Sequence, residues 1–287
     1  MADWLLVDGS SLVFRAFFAI PQSFKGPDGR PNNGIRGFLD LLSRLITERA
    51  PSNVAIATDE DWRPAFRVDL IPTYKTHRTA EPVPPQLEPQ IPIAYAILEA
   101  AGVAVARAAG FEAEDVIASL VRCADGEIEI ASGDRDLFAL VEDGRVRVLY
   151  PAGKGVWSFV DEAWIRGKYG IPGRSYADFA ILRGDPSDGL PGLAGVGEKS
   201  AAALVKRHGN VEGVIAEAHL KEADAAYLRR ALTVVKPEAG LPVDCGACRL
   251  PEAPADPEGL QRLAAAHGVE SSVSRLGKAL GWAGFRD

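Results

Sequence analysis

The sequence predicts an α/β fold, a mostly parallel central sheet flanked by helices, and three observations predict it. Short β-rich runs at Trp4–Val7, Val54–Thr58, Val103–Ala106 and Glu127–Ala131 alternate with helical periodicity at Gly37–Glu48 and Ala113–Val121, the order that parallel strands and crossover helices produce. Acidic residues stand just past three of these runs, at Asp8, Asp59 and Asp134. Open parallel sheets bind ligands beyond the carboxyl ends of their strands. From about residue 175 the pattern turns helical with no convincing strand. The expected division is an α/β core over residues 1–174 and a helical region over residues 175–287.

The first run, Trp4-Leu5-Leu6-Val7, is bracketed by Asp3 and Asp8, unlike a signal peptide. No stretch reaches the ~20 uncharged apolar residues of a membrane span, so a cytoplasmic protein is expected. A chain of 287 residues with 47% hydrophobic and 25% charged residues can bury a sizeable core, as one large domain or one domain with an appendage. The three cysteines do not make a disulfide framework. Cys245 and Cys248 have CxxC spacing, but no second ligand pair for zinc follows; surface thiols in a reducing compartment are expected.

Between Asp59 and Pro92 the alternation breaks into a stretch rich in charge, aromatics and proline, with Trp62, Arg63, Arg67, Tyr74, Lys75, Arg78 and the Pro82–Pro85 run. It is too long for an ordinary connection, which makes it a functional or mobile segment. The tail after Pro237 is punctuated by Pro and Gly, then regains helical periodicity at Gly259–His267 and Val273–Leu280.

The informative feature is the recurrence of carboxylates in tight groups where strands end or helices begin: Asp8, Asp59, Glu112-Ala-Glu114-Asp115, Asp134-Arg-Asp136 and Asp185-Pro-Ser-Asp188. Taken singly, any of them reads as a helix cap or a solvated charge. Gathered in one pocket they repel, at roughly 4 kcal/mol for a pair 4 Å apart at an effective dielectric near 20. Such a set needs bound cations or shifted pKa values. Oxygen-only ligands favour a hard ion, Mg²⁺ or Mn²⁺, and paired ions of this kind serve phosphodiester hydrolysis. The net charge of −7 looks wrong for a nucleic-acid partner. Without a metal-holding acidic cluster, however, the remainder is close to neutral with local basic stretches.

These residues resemble the bacterial 5′-nuclease family, which includes the N-terminal nuclease region of DNA polymerase I and stand-alone flap endonucleases. The match runs from about residue 4 to residue 220, through VDGSSLVFRAFFAI at 7–20, FRVDLIPTYKTHR at 66–78, GFEAEDVIASL at 110–120, ASGDRDLFAL at 131–140 and GDPSDGLPGLAGVGEKSAAALV at 184–205. Several long motifs in the right order are far more specific than any one alone. The resemblance implies a PIN-like core, a helical arch at about residues 60–92 that passes a single-stranded 5′ end, and a C-terminal helix–three-turn–helix.

Residue by residue, the resemblance implies metal roles for Asp8, Asp59, Glu112, Glu114, Asp115, Asp134, Asp136, Asp185 and Asp188, with two or three divalent ions. Glu114 stands where Asp is usual and Gly189 where Asn is usual. Lys75 and Arg78, with Arg67 nearby, correspond to basic residues that reach the scissile phosphate. Phe14, where the family commonly has Tyr, stacks on a base or packs in the core, and Arg15 contacts phosphate. Gly195, Gly197, Lys199, Ser200 and Lys206 grip the duplex backbone at a turn that in this family also holds K⁺. The implied activity is flap endonuclease and 5′-3′ exonuclease on DNA with 5′ flaps, nicks or frayed ends, and on RNA–DNA hybrids, in primer removal and repair. A chain of this length is expected to be the nuclease alone, acting as a monomer. Two rival readings are a smaller PIN-type ribonuclease, which lacks the arch and the GVGEK turn, and a non-catalytic DNA-binding protein, which lacks one or more of the acids.

Overall fold

The structure, a computed structural model, describes residues 2–80, 83–153 and 155–283. Its sheet has six strands, β1 (Trp4–Asp8), β2 (Asn53–Ala57), β3 (Ala104–Ala106), β4 (Ile128–Ala131), β5 (Val146–Gly153) and β6 (Val156–Val160), in the order β3-β2-β1-β4-β5-β6. All neighbours run parallel except β5 and β6. Between β1 and β4 the strand order reverses direction. The first strand is buried throughout, as expected where helices cover both faces.

Alternation along the strands divides the core in two. Leu6, Ala55, Ile128, Ile130 and Val148 face one layer. That layer holds α5 (Ala113–Cys123), α7 (Tyr176–Arg183), α8 (Glu198–His208), α9 (Val211–Glu217) and α10 (Glu222–Val235), with α6 (Glu162–Tyr169) at its edge. Leu5, Val7, Val54, Ile56 and Leu149 face the other. There lie α1 (Gly9–Ala19), α2 (Asn33–Arg49) and α4 (Gln90–Ala101), joined by α11 (Pro257–His267) and α12 (Glu270–Ala279). The last two helices thus return across the molecule and dock on α4 and α2. No helix among the described residues is long and apolar enough to cross a membrane.

The β5–β6 hairpin is not legible in the sequence. Its strands carry Pro151, Gly153 and a register shift, which blur the alternation that marks a strand. Among its described residues the segment between Asp59 and Pro92 contains one short helix, α3 (Ala65–Leu70), a single 3₁₀ turn at Thr76–Thr79, and then the start of α4. Pro82 of the proline run lies outside the described residues.

The cysteine expectation is corrected. Cys123, at the end of α5, is disulfide-bonded to Cys245, and Cys248 is buried. The partners lie 122 residues apart with Cα atoms 6.4 Å apart, a pairing that only tertiary structure brings together.

At the opposite end from the acidic strand termini, Glu129 of β4 is fully buried between Arg49 and Arg147. Arg147 is its cross-strand partner on β5, and both guanidinium groups lie over the ring of Phe159 on β6. Glu129→Ala leaves two arginines without their shared counter-charge. We expect a loss on the order of 2–3 kcal/mol, below the full cost of opening a buried pair because Arg147 is partly solvated, measured as a lower midpoint in urea unfolding.

Candidate active site

The carboxyl ends of β1, β2 and β4 bring the first acids together. Asp8 closes β1 and caps α1, its Oδ1 accepting from the Ser11 amide at 2.9 Å, while the Ser132 hydroxyl donates to its Oδ2. Ser132 Oγ also accepts from the Asp134 amide at 2.9 Å, so one hydroxyl fixes two of the acids. Asp59, just past β2, accepts at 2.8 Å from the amide of Ala113, the first residue of α5. Asp134 Oδ1 accepts from the Asp136 amide at 2.9 Å, which turns the buried Asp136 inward. Ser132 is absent from the residues that the sequence singles out; its place between β4 and Gly133-Asp134 is the signal that finds it.

The second group stands at the amino end of α5, where the helix dipole favours negative charge. Glu112, Glu114 and Asp115 are all buried there, with Arg67 of α3 between them. Arg67 Nη1 donates to Glu112 Oε2 at 2.6 Å, and Nη2 lies 3.0 Å from Glu114 Oε1. Its two terminal nitrogens also grip both oxygens of Asp115, at 2.7 and 2.9 Å. The Tyr74 hydroxyl donates to Glu112 Oε2 at 2.7 Å from a fully buried ring. Tyr74 lies within the 66–78 motif, but nothing in the sequence assigns it a role.

The third group is the turn holding Asp185 and Asp188. Asp185 Oδ1 accepts from the amide and hydroxyl of Ser187, closing the turn. Lys75, buried and in the left-handed region at φ 49°, donates its ammonium to Glu112 and stands 4.0 Å from Asp188. Its amide donates to the Asp188 carbonyl at 3.0 Å. Arg78 is 41% exposed, with Nη2 at 3.3 Å from Asp188 Oδ1. This docking depends on Gly189. A Cβ at that position would stand 2.5 Å from the Thr73 carbonyl oxygen, so the glycine admits the Thr73–Lys75 backbone.

Among the described residues the nine carboxylates are met by four cations, Arg67, Lys75, Arg78 and Arg183. The excess shows in the acids themselves. Burial, then the charges of Asp59 and Asp134, push the Asp8 carboxyl up to about 7, against the hydrogen bonds from Ser132 and Ser11. Burial and neighbouring carboxylates also raise Glu114 and Asp136 well above the ordinary range. Burial works against the Lys75 charge, but Asp188, Glu112 and Glu114 outweigh it. Among the described residues no three acids converge at ion-ligand distance, and Lys75 lies between Glu112 and Asp188. A set of oxygen-only, mutually repelling donors, buried except for the half-buried Asp59 and Asp134, fits a hard divalent cation.

The other candidate residues lie apart from this cluster. Phe14 on α1 is partly buried against the second core layer, and Arg15 is exposed. Gly195, at φ 77°, and Gly197, which caps α8, both have open space where a Cβ would stand. Lys199, Ser200 and Lys206 are exposed on α8.

Residues 3–170 match the family described as 5′-3′ exonuclease, N-terminal resolvase-like domain, and residues 171–255 match 5′-3′ exonuclease, C-terminal SAM fold. A 5′-3′ exonuclease of Streptomyces coelicolor is 45% identical over 296 residues, covering 95% of this chain and 98% of that one. DNA polymerase I of Mycobacterium bovis is 43% identical over 218 residues, 74% of this chain but 24% of the polymerase. The structure also resembles that of the bacteriophage T5 flap endonuclease in a complex with DNA and metal ions, with a TM-score of 0.68 at 17% identity over 95% of this chain and 98% of that one.

The raised Asp8 carboxyl ties stability to pH. A carboxyl raised in the folded state holds a proton that the unfolded chain releases above about pH 4, so the stability tied to Asp8 is full below that pH and is lost as pH rises through about 7. In chelator the protein should therefore melt several degrees higher at pH 5.5 than at pH 8, and Asp8→Asn should reduce the difference, the remainder belonging to Glu114 and Asp136. Gly189→Asn supplies the residue usual in the resembling family, and Asn tolerates positive φ, yet its Cβ collides with Thr73. We expect a loss of about 1–3 kcal/mol in urea unfolding.

Proposed function

The chain belongs to the 5′-3′ exonuclease family, and from that premise we propose that it is a structure-specific 5′-nuclease cutting DNA where duplex meets single strand. The observation that carries this reading is the gathering of acids from β1, β2, β4, α5 and the 185–188 turn beside Lys75 and Arg78. Asp8, Asp59, Glu112, Glu114, Asp134, Asp136, Asp185 and Asp188 are the candidate ligands of two or three Mg²⁺ or Mn²⁺ ions. Such ions, when bound, activate water and stabilise the charge that develops on the phosphoryl and leaving oxygens.

The chain's own residues supply position and counter-charge. Lys75 and Arg78 neutralise acids of the cluster, and an arriving phosphate competes for the same donors. Their transfer to the phosphate places cations against developing negative charge and releases Glu112 and Asp188. Because the Lys75 amide is bound to the Asp188 carbonyl, its ammonium swings from a fixed root. Phe14 and Arg15 lie on the helix that Asp8 caps, which suits a base-stacking ring and a phosphate contact leading away from the acids.

Gly195 and Gly197 point to the duplex. Neither is hemmed in by its own chain, and Gly197 has an ordinary φ of −94°. Glycine suits its amino-cap position on α8, and the open space before it leaves the amino end of the helix accessible to a phosphate. Lys199, Ser200 and Lys206 add donors, and K⁺ at this turn belongs to the same proposal. Backbone contacts of this kind carry no sequence code, so selection is by structure. Flaps, nicks and frayed ends unpair at the least cost, which suits primer removal and repair, with RNA–DNA hybrids among the substrates and a monomer as the acting form.

A 5′-labelled flap duplex and its free single strand, each incubated with Mg²⁺, Mn²⁺ or chelator, provide the test. Metal-dependent cutting near the junction, well above that of the single strand, is expected. Binding without cutting in every metal favours a non-catalytic DNA-binding protein, and equal cutting of the single strand a general nuclease. Asp134→Asn should abolish cleavage while largely sparing DNA binding. Gly197→Leu, which weakens the amino cap of α8, should melt within a few degrees of the parent protein yet bind flap DNA about tenfold more weakly by fluorescence anisotropy; parental affinity would remove the duplex contact from this turn.

A further inference from the structure

We propose that Arg67 and Asp115 form a positioning pair that touches neither DNA nor ion, and that aims Glu112 and Glu114 at the ions. This rests on the acid cluster being an ion site, and it reassigns two residues within it.

Asp115 is fully buried and its oxygens are spent. Oδ1 accepts from Arg67 Nη2 and from the Glu238 amide, each at 2.7 Å. Oδ2 accepts from Arg67 Nη1 at 2.9 Å and from the Glu112 amide at 3.1 Å. Four donors fill the in-plane positions of a carboxylate, so an ion reaches Asp115 only by breaking them. Glu114, in contrast, has one ion-pair partner, Arg67, and Glu112 meets the side chains of Arg67, Tyr74 and Lys75.

Arg67 is equally committed. Its side chain is 0% exposed, and Nε donates to the Val234 carbonyl at the end of α10 at 2.8 Å. Its remaining donors face Glu112, Glu114 and Asp115. A guanidinium held by α3, α5 and α10 at once is a fixed counter-charge, and no donor is left to meet a phosphate. Arg78, half exposed at the edge of the cluster, has that freedom. Asp115 sets the plane of Arg67, and that plane decides where Glu112 and Glu114 point.

The test uses the full chain carrying Arg67→Met together with Asp115→Leu, which removes the pair with no net change of charge, leaving Glu112 with Lys75 and Tyr74 and Glu114 without its ion-pair partner. Three readings are taken: salt dependence of flap-DNA affinity in chelator, the number of Mn²⁺ ions bound by calorimetry without DNA, and kcat against KM. We expect an unchanged salt slope, an unchanged ion count, and a kcat at least tenfold lower with KM held. Arg67→Lys, which keeps the charge but not the fork, should recover only part of that kcat. A salt slope shallower by about one would put Arg67 on a phosphate, and one fewer bound ion would make Asp115 a ligand; either overturns the proposal. The salt slope needs no ion, so it tests Arg67 even if the parent protein binds no Mn²⁺ and the ion reading itself fails. Should the double variant show no cooperative melt, Asp115→Asn alone decides: a parental ion count with reduced kcat supports the pair, and a lost ion overturns it.

Discussion

Repulsion among nine carboxylates at one edge of a parallel sheet is the constraint around which this molecule is organised. At roughly 4 kcal/mol for each close pair at an effective dielectric near 20, the set would drive its elements apart without compensation. The fold answers in two ways. Hydroxyls and amides hold individual oxygens, as Ser132 does for Asp8 and the Ala113 amide does for Asp59. Buried cations from a distant stretch of chain are set among the acids, Arg67 on one side and Lys75 on the other. The compensation is incomplete: burial first, and neighbouring carboxylates after it, hold Asp8, Glu114 and Asp136 above the ordinary carboxylate range.

The same logic accounts for the segment from Arg63 to Arg78, which lies folded against the acids. The Arg63 guanidinium donates to the carbonyls of Tyr74 and Pro72, bracing the loop from behind. Gly189 lets that loop settle against the Asp185–Asp188 turn. Cations and acids thus hold each other in place, and under the proposed function a phosphate that draws Lys75 or Arg78 away alters both partners at once.

Much of this is legible in the sequence, and the reasons are specific. The parallel sheet shows in β-rich runs alternating with helical ones, and the site in acids placed just past β1, β2 and β4. The Glu112–Asp115 run shows as a helix start. What stays hidden depends on contacts far apart in the chain. Arg67 reads in the sequence as one of several cations near a phosphate, because nothing local reveals that Val234 and Asp115 enclose it. The Cys123–Cys245 bond and the return of α11 and α12 to α4 and α2 are hidden for the same reason. The hairpin of β5 and β6 escapes for a local one, since Pro151 and Gly153 interrupt its pattern.

The stretch after α10 runs alongside α5 and fastens it at both ends. Near the acids the Glu238 amide holds Asp115, along the middle the Leu241 amide donates to Ser119 Oγ, and at the far end Cys245 is bonded to Cys123. In mechanical terms α5 is the fixed jaw of a vice, clamped along its whole length to a strap that α10 in turn anchors. The opposing jaw, the Thr73–Arg78 loop, is seated by the buried Tyr74 ring, by the Lys75 amide on the Asp188 carbonyl and by ion pairs. The spacing of the acids on α5 is thus fixed by the strap as well as by the helix itself.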